Sequence, residues 1–132
     1  MKSSGKKTIK VVGIVTTGAS ELVKVKGGYE LRIYTNPKDA VALGMDPQLA
    51  RHVFAKRAGK CKGGCSRFEN QKGTHTWCVD INCTGVGSCA CHLISMWKNK
   101  DDEIEEEDHG TDFDQKSPHK KIPGRVYACR CQ

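Results

Sequence analysis

Cys89-Ala90-Cys91-His92-Leu93-Ile94-Ser95-Met96-Trp97 alternates so that Cys89, Cys91 and Leu93 share one side of an extended chain, because successive side chains of a strand point to opposite faces. The run from Gly124 to Gln132 repeats the pattern with Tyr127, Cys129 and Cys131. Paired antiparallel, the two would set Cys131 opposite Cys89 and Cys129 opposite Cys91. A third alternating run, Thr74 to Cys83, sends Trp77, Val79 and Ile81 one way and Cys78, Asp80 and Asn82 the other. If it forms a hairpin over the turn at residues 84–88, Cys83 lies opposite Cys89. That register gathers Cys83, Cys89, Cys91, Cys129 and Cys131 at one end of one face. Trp77, Val79, Ile81, Leu93 and Tyr127 continue the face as an apolar layer. The expectation depends on a register that the hydrophobic pattern alone does not fix.

All eight cysteines lie at or after Cys61 in a chain of 132 residues that is 37% hydrophobic and has 8 aromatic residues. Short chains with thin cores are commonly cross-linked or metal-bound. Three chemistries therefore compete: a metal site, a disulfide framework, or cysteines left mostly as free thiols. Cys89, Cys91, Cys129 and Cys131 could form a closed four-thiolate zinc site, with Cys61, Cys65 and Cys78 as a further set. The usual Cys-x-x-Cys knuckle is absent, however. The even count suits a disulfide framework, which eight cysteines could wire in about 105 ways. The cofactor expectation is accordingly none, or zinc.

Sharper motifs fail on spacing. Cys89-Ala90-Cys91-His92 has one residue between its cysteines where a c-type haem site needs two. Cys78 and Cys83 begin like a ferredoxin loop, but the next cysteine comes too late. His75, His109 and His119 read as surface residues. No nucleophile, carboxylate pair or phosphate-cradling loop stands out, so the sequence leans away from an enzyme.

The first half has another texture. Alternating runs at 21–26 and 29–34 flank Gly27-Gly28 and predict a hairpin, preceded by a strand from Lys7 to Val15. Asn36-Pro37-Lys38-Asp39 reads as a break. Asp46-Pro47 predicts a helix start, with Gly59 placed to end it and Leu49, Val53 and Phe54 as its apolar stripe. The expected architecture is α+β: a small antiparallel β-rich domain with one short helix, its C-terminal half locked through cysteines. Residues 1–60 would form the basic hairpin, strand and helix. Residues 61–132 would form the cysteine-rich sheet, with an acidic loop at about 99–123, and the two would make one compact unit.

Residues 1–62 carry a charge of +9 and residues 63–132 a charge of −2, for a net +7. Arg51, Lys56, Arg57, Lys60 and Lys62 form a candidate anion-binding run, so a nucleic-acid partner is one expectation. The acidic run Asp101–Asp108 is read as a solvated connector, with the sharper option that it folds back on the basic half. The first expectation for function is a non-enzymatic binding or structural module with a protein partner or self-association. Zinc-stabilised nucleic-acid binding through residues 46–62 and thiol redox or metal handling follow as alternatives. The thiol framework favours a secreted setting over a cytoplasmic one. No segment has the length and apolarity of a membrane span.

Overall fold

The computed structural model describes residues 9–15, 18–55, 64–70, 72–81, 91–111 and 119–131. Among the described residues, nine strands and two helices follow in the order β1 (Ile9–Val15), β2 (Gly18–Val25), β3 (Gly28–Tyr34), α1 (Pro37–Ala42), α2 (Pro47–Val53), β4 (Gly64–Asn70), β5 (His75–Ile81), β6 (Cys91–Lys98), β7 (Ile104–Asp108), β8 (His119–Lys120) and β9 (Val126–Cys131). The strands form two antiparallel sheets, ordered β1-β4-β5-β8 and β3-β2-β9-β6-β7. The expected α+β class, antiparallel and β-rich, is what the chain adopts. It has two short helices where one was expected.

Alternation along the five-stranded sheet gives its two faces different tasks. Ala19, Tyr34, Ile94, Met96, Val126 and Ala128 face the helices and meet Ala40, Met45, Leu49, Ala50 and Val53 in the main apolar core. The opposite face, with Ser20, Leu93, Ser95, Tyr127 and Cys129, turns toward the four-stranded sheet, where β4 packs near β9 and β5 near β6. The molecule is thus three layers: helices, five-stranded sheet, four-stranded sheet. Only the first interface is oily. The second is largely polar.

Several expectations change in detail. The hairpin forms, but Val25 pairs with Gly28, so the two-residue turn is Lys26-Gly27. Gly27 there has φ 90°, a conformation that favours glycine. The segment read as a break at Asn36-Pro37 is the start of α1. Asn36 Oδ1 accepts from the Asp39 amide at 2.8 Å, and Pro37 takes a first-turn position where its missing N–H costs nothing. α2 starts as expected, with Asp46 accepting from the amides of Gln48 and Leu49, and it ends at Val53. Gly59 lies outside the described residues.

The acidic stretch at 99–123 is not simply a loop. Ile104–Asp108 is an edge strand on β6 and His119–Lys120 pairs with β5. Asn99 Oδ1 shapes the β6–β7 turn by accepting from the amides of Asp101 and Glu103, both at 2.9 Å. Ile104 packs against the main core. The carboxylates of Glu106 and Glu107 are met by Arg130 at 3.0 Å and Arg125 at 2.6 Å. Both arginines come from the second half of the chain, whereas Lys56, Arg57, Lys60 and Lys62 of the basic run lie outside the described residues.

Candidate cysteine centre between the sheets

The expected hairpin joining the Thr74–Cys83 run to the Cys89–Trp97 run does not form. β5 pairs with β4 and β8, while β6 pairs with β9 and β7, so the two runs lie in different sheets. The pairing of β6 with β9 is real but two residues from the expected register. Cys131 is opposite Cys91, and Cys129 is opposite Leu93. An even slip keeps every side chain on its face, so the expectation that Cys91, Leu93, Tyr127 and Cys129 share a face survives the change.

The separation of β5 from β6 changes the role of Cys78. It was placed on the far side from the cluster, yet it points from β5 across the gap toward Cys91 and Cys129. The three sulfurs lie within 4.8 Å of one another, and all three residues are buried. Cys78 Sγ abuts both other sulfurs, with Cα separations of 6.5 Å to Cys91 and 5.6 Å to Cys129. It also lies 3.7 Å from the His92 carbonyl oxygen, while Cys129 Sγ lies 3.9 Å from that of Trp77. Trp77, next to Cys78 in β5, consequently belongs to the other face of its sheet, paired with Phe68. It does not join Leu93 and Tyr127 in one apolar layer.

Of the other cysteines, Cys61, Cys83 and Cys89 lie outside the described residues. Cys65 and Cys131 are placed by backbone register alone, opposite Asp80 and Cys91. Arg51 is exposed on α2 and, with Pro37, Lys38, Val41, Pro47 and Ala50, lines an open groove of about 350 Å³ between the helices. Lys56, Arg57, Lys60 and Lys62 lie outside the described residues.

A set of charges accompanies the sulfurs in the same layer, and alternation alone did not reveal it. Arg67 on β4 is the cross-strand partner of Cys78, and Glu69 is the partner of Thr76. Both are buried. Lys121 Nζ donates to Ser20 Oγ at 2.6 Å and to Glu69 Oε1 at 3.2 Å, tying the two sheets together. Burial pushes the Lys121 ammonium down to about 8, against the pull of Glu69. Burial likewise lowers the Arg67 guanidinium to about 10. Arg67 Nε is 3.9 Å from Glu69 Oε1, too far to hydrogen-bond, and Arg67 Nε and Nη1 have no hydrogen-bond partner among the described residues.

Beside this lies a second polar group. His109 Nε2 and Ser95 Oγ share a hydrogen bond of 2.8 Å, and His109 Nδ1 is 4.0 Å from Glu107 Oε2. The His109 ring packs on His119 and Tyr127, with centroid distances of 3.9 and 5.9 Å. Its side chain is 6% exposed, which corrects the surface reading of this residue. A hydroxyl, imidazole and carboxylate in series can activate a nucleophile. Here Ser95 is fully buried, so its hydroxyl is spent inside the fold. Burial, followed by the charge of His119, holds the His109 imidazole below its ordinary value of 6.5. A depressed histidine binds fewer protons folded than unfolded, so its contribution to stability is complete above about pH 6.5 and is lost as pH falls through the lower folded value. Stability measured by urea unfolding should therefore drop as pH falls below 6.5, and His109→Gln should flatten that part of the profile. An unchanged slope in the variant would assign the drop to other groups.

Comparison with family models, with curated proteins and with solved structures finds no match to this chain. No helix among the described residues is long and apolar enough to cross a membrane.

Proposed function

We propose that the chain is a non-enzymatic binding or structural module whose two sheets are locked together by Cys78, Cys91 and Cys129. The supporting observation is that three buried sulfurs, one from the four-stranded sheet and two from the five-stranded sheet, converge within 4.8 Å. A lock matters at this interface because the charged groups Arg67, Glu69 and Lys121 are buried there. Bringing Arg67, Glu69 and Lys121 out of water costs several kcal/mol per ion before their mutual attraction is counted. An S–S bond or a shared metal ion would hold the layers against that cost. On this reading the ligand is another protein or a second copy of the chain, and the cysteine centre keeps the binding surface in shape without taking part in it.

The lock is tested by unfolding the full chain in urea with and without reductant plus chelator. Removing both kinds of cross-link should lower stability by about 2–5 kcal/mol, the usual range for a structural disulfide, or by more for a metal site. An unchanged midpoint would refute the proposal.

A further inference from the structure

We infer that Cys78, Cys91 and Cys129 bind one soft divalent cation, zinc in the first instance, as thiolates, with the buried Arg67 guanidinium as counter-charge. This rests on the lock proposed above and specifies its chemistry. Charge and valence favour a cation over a bridge. One sulfur completes only one S–S bond, so a disulfide at Cys78 would use two of the three sulfurs that meet there. It would carry no charge and would leave Arg67 Nε and Nη1 without an acceptor among the described residues. A bound cation instead engages all three sulfurs on equal terms.

Charge then selects the ion. Among the described buried groups between the sheets, Arg67 and Lys121 are cations and Glu69 is the single carboxylate. One positive charge is left over in a place where unpaired charge is expensive. Three thiolates around a divalent ion carry one negative charge and cancel it. Around a monovalent ion such as Cu(I) they would carry two and overshoot. Thiolate ligands favour zinc among the available divalent ions. Position agrees with charge. Arg67 lies directly across from Cys78 in the β4–β5 register, so the two side chains leave the same face of the sheet. Its Nε and Nη1 are buried donors without an acceptor, the kind of group that orients and stabilises ligand sulfurs from outside the coordination shell.

On binding, three thiols lose their protons to solvent, three S–metal bonds form and no electrons are transferred, so the site needs no oxidant. Native mass spectrometry of the full chain, purified without added reductant or oxidant, should show one zinc per chain, and the denatured mass should be that of the full thiol form. Replacing zinc by Co(II) should produce a thiolate-to-cobalt charge-transfer band that Cys78→Ser, Cys91→Ser and Cys129→Ser each weaken. Arg67→Met should reduce zinc affinity about 10–100-fold in competition with a chromophoric chelator, as is usual for loss of an outer-shell partner. Arg67→Lys, which keeps the charge, should restore much of it.

A denatured mass lower by two hydrogens with no metal in the native spectrum would overturn the inference in favour of a disulfide. Binding by Arg67→Met as tight as the parent's, or failure of a folded Arg67→Lys to recover affinity, would overturn the role of Arg67. The triple variant Cys78→Ser, Cys91→Ser, Cys129→Ser separates the two levels. If the parent holds no metal and the triple variant is destabilised, the lock stands and the metal falls. If the triple variant is as stable as the parent, the lock itself falls.

Discussion

Replacing Lys121 with methionine should destabilise the protein by about 3 kcal/mol, toward the lower end of the 3–5 kcal/mol typical of breaking a buried ion pair. The side chains of Lys121 and Glu69 are both 0% exposed. Methionine fills similar space but cannot donate to Glu69 Oε1 or to Ser20 Oγ, so a buried carboxylate and a buried hydroxyl lose their shared partner. Arg67, 3.9 Å away, keeps the carboxylate from being wholly isolated and limits the loss. Urea unfolding measures the effect. The double variant Glu69→Gln, Lys121→Met should recover part of it, because the charge left behind is removed too. A cost below about 1 kcal/mol in the single variant, within the range of a surface pair, would show that the pair does not help hold the two sheets together.

Arg130→Met should be similarly severe, about 3–4 kcal/mol, since hydrogen bonds involving a charged group contribute about 1.5–3 kcal/mol each. Arg130 lies on the helix-facing side of β9, almost fully buried. Its Nη2 donates to the carbonyls of His52 and Val53, the latter at 2.9 Å, and its Nη1 donates to Glu106. One side chain thereby caps the C-terminus of α2, where carbonyls lack helical partners, and anchors the acidic strand β7. Hydrogen exchange should show α2 amides opening faster in Arg130→Met while β2 and β3 amides keep their relative protection. Uniform loss across the molecule would mean that Arg130 serves global stability without specially fastening the helix.

What could be read from the sequence depended on where alternation carried an apolar signal. β2 and β3 were legible because Leu22, Leu31, Ile33 and Tyr34 fall into a pattern broken by glycine. β9 and β6 were legible because cysteine and tyrosine alternate with smaller or charged residues. β4 was missed for the opposite reason: its inward positions are Arg67 and Glu69, so a strand with charges facing another layer looks like a surface segment. The same cause hid Lys121. β7 was missed because five residues containing four carboxylates look too polar to pack, and their neutralisation comes from Arg125 and Arg130, far along the chain. Arg125 also lies over the Trp97 ring at 3.8 Å, which fixes it beside that strand.

The cysteine site was half legible. Cys91 and Cys129 were placed together correctly, since a register error of two preserves the face. Cys78 was assigned elsewhere because a hairpin between β5 and β6 was assumed where the chain crosses from one sheet to the other. No local signal distinguishes a hairpin from a crossover there. What identifies Cys78 is the convergence of its sulfur with those of Cys91 and Cys129, which only folding brings about.

The strand order β3-β2-β9-β6-β7 also has a temporal meaning. The hairpins β2–β3 and β6–β7 are local and can close quickly, but they share no strand pairing until β9 enters between them. During synthesis both must wait with an open side for a strand that emerges after either of them. Ordering so distant a segment is slow, since loop closure has to precede any gain from the new contacts. The interval during which two unpaired strand edges stand ready for the wrong neighbour therefore depends on translation speed, and it is then that the chain is most exposed to misassembly.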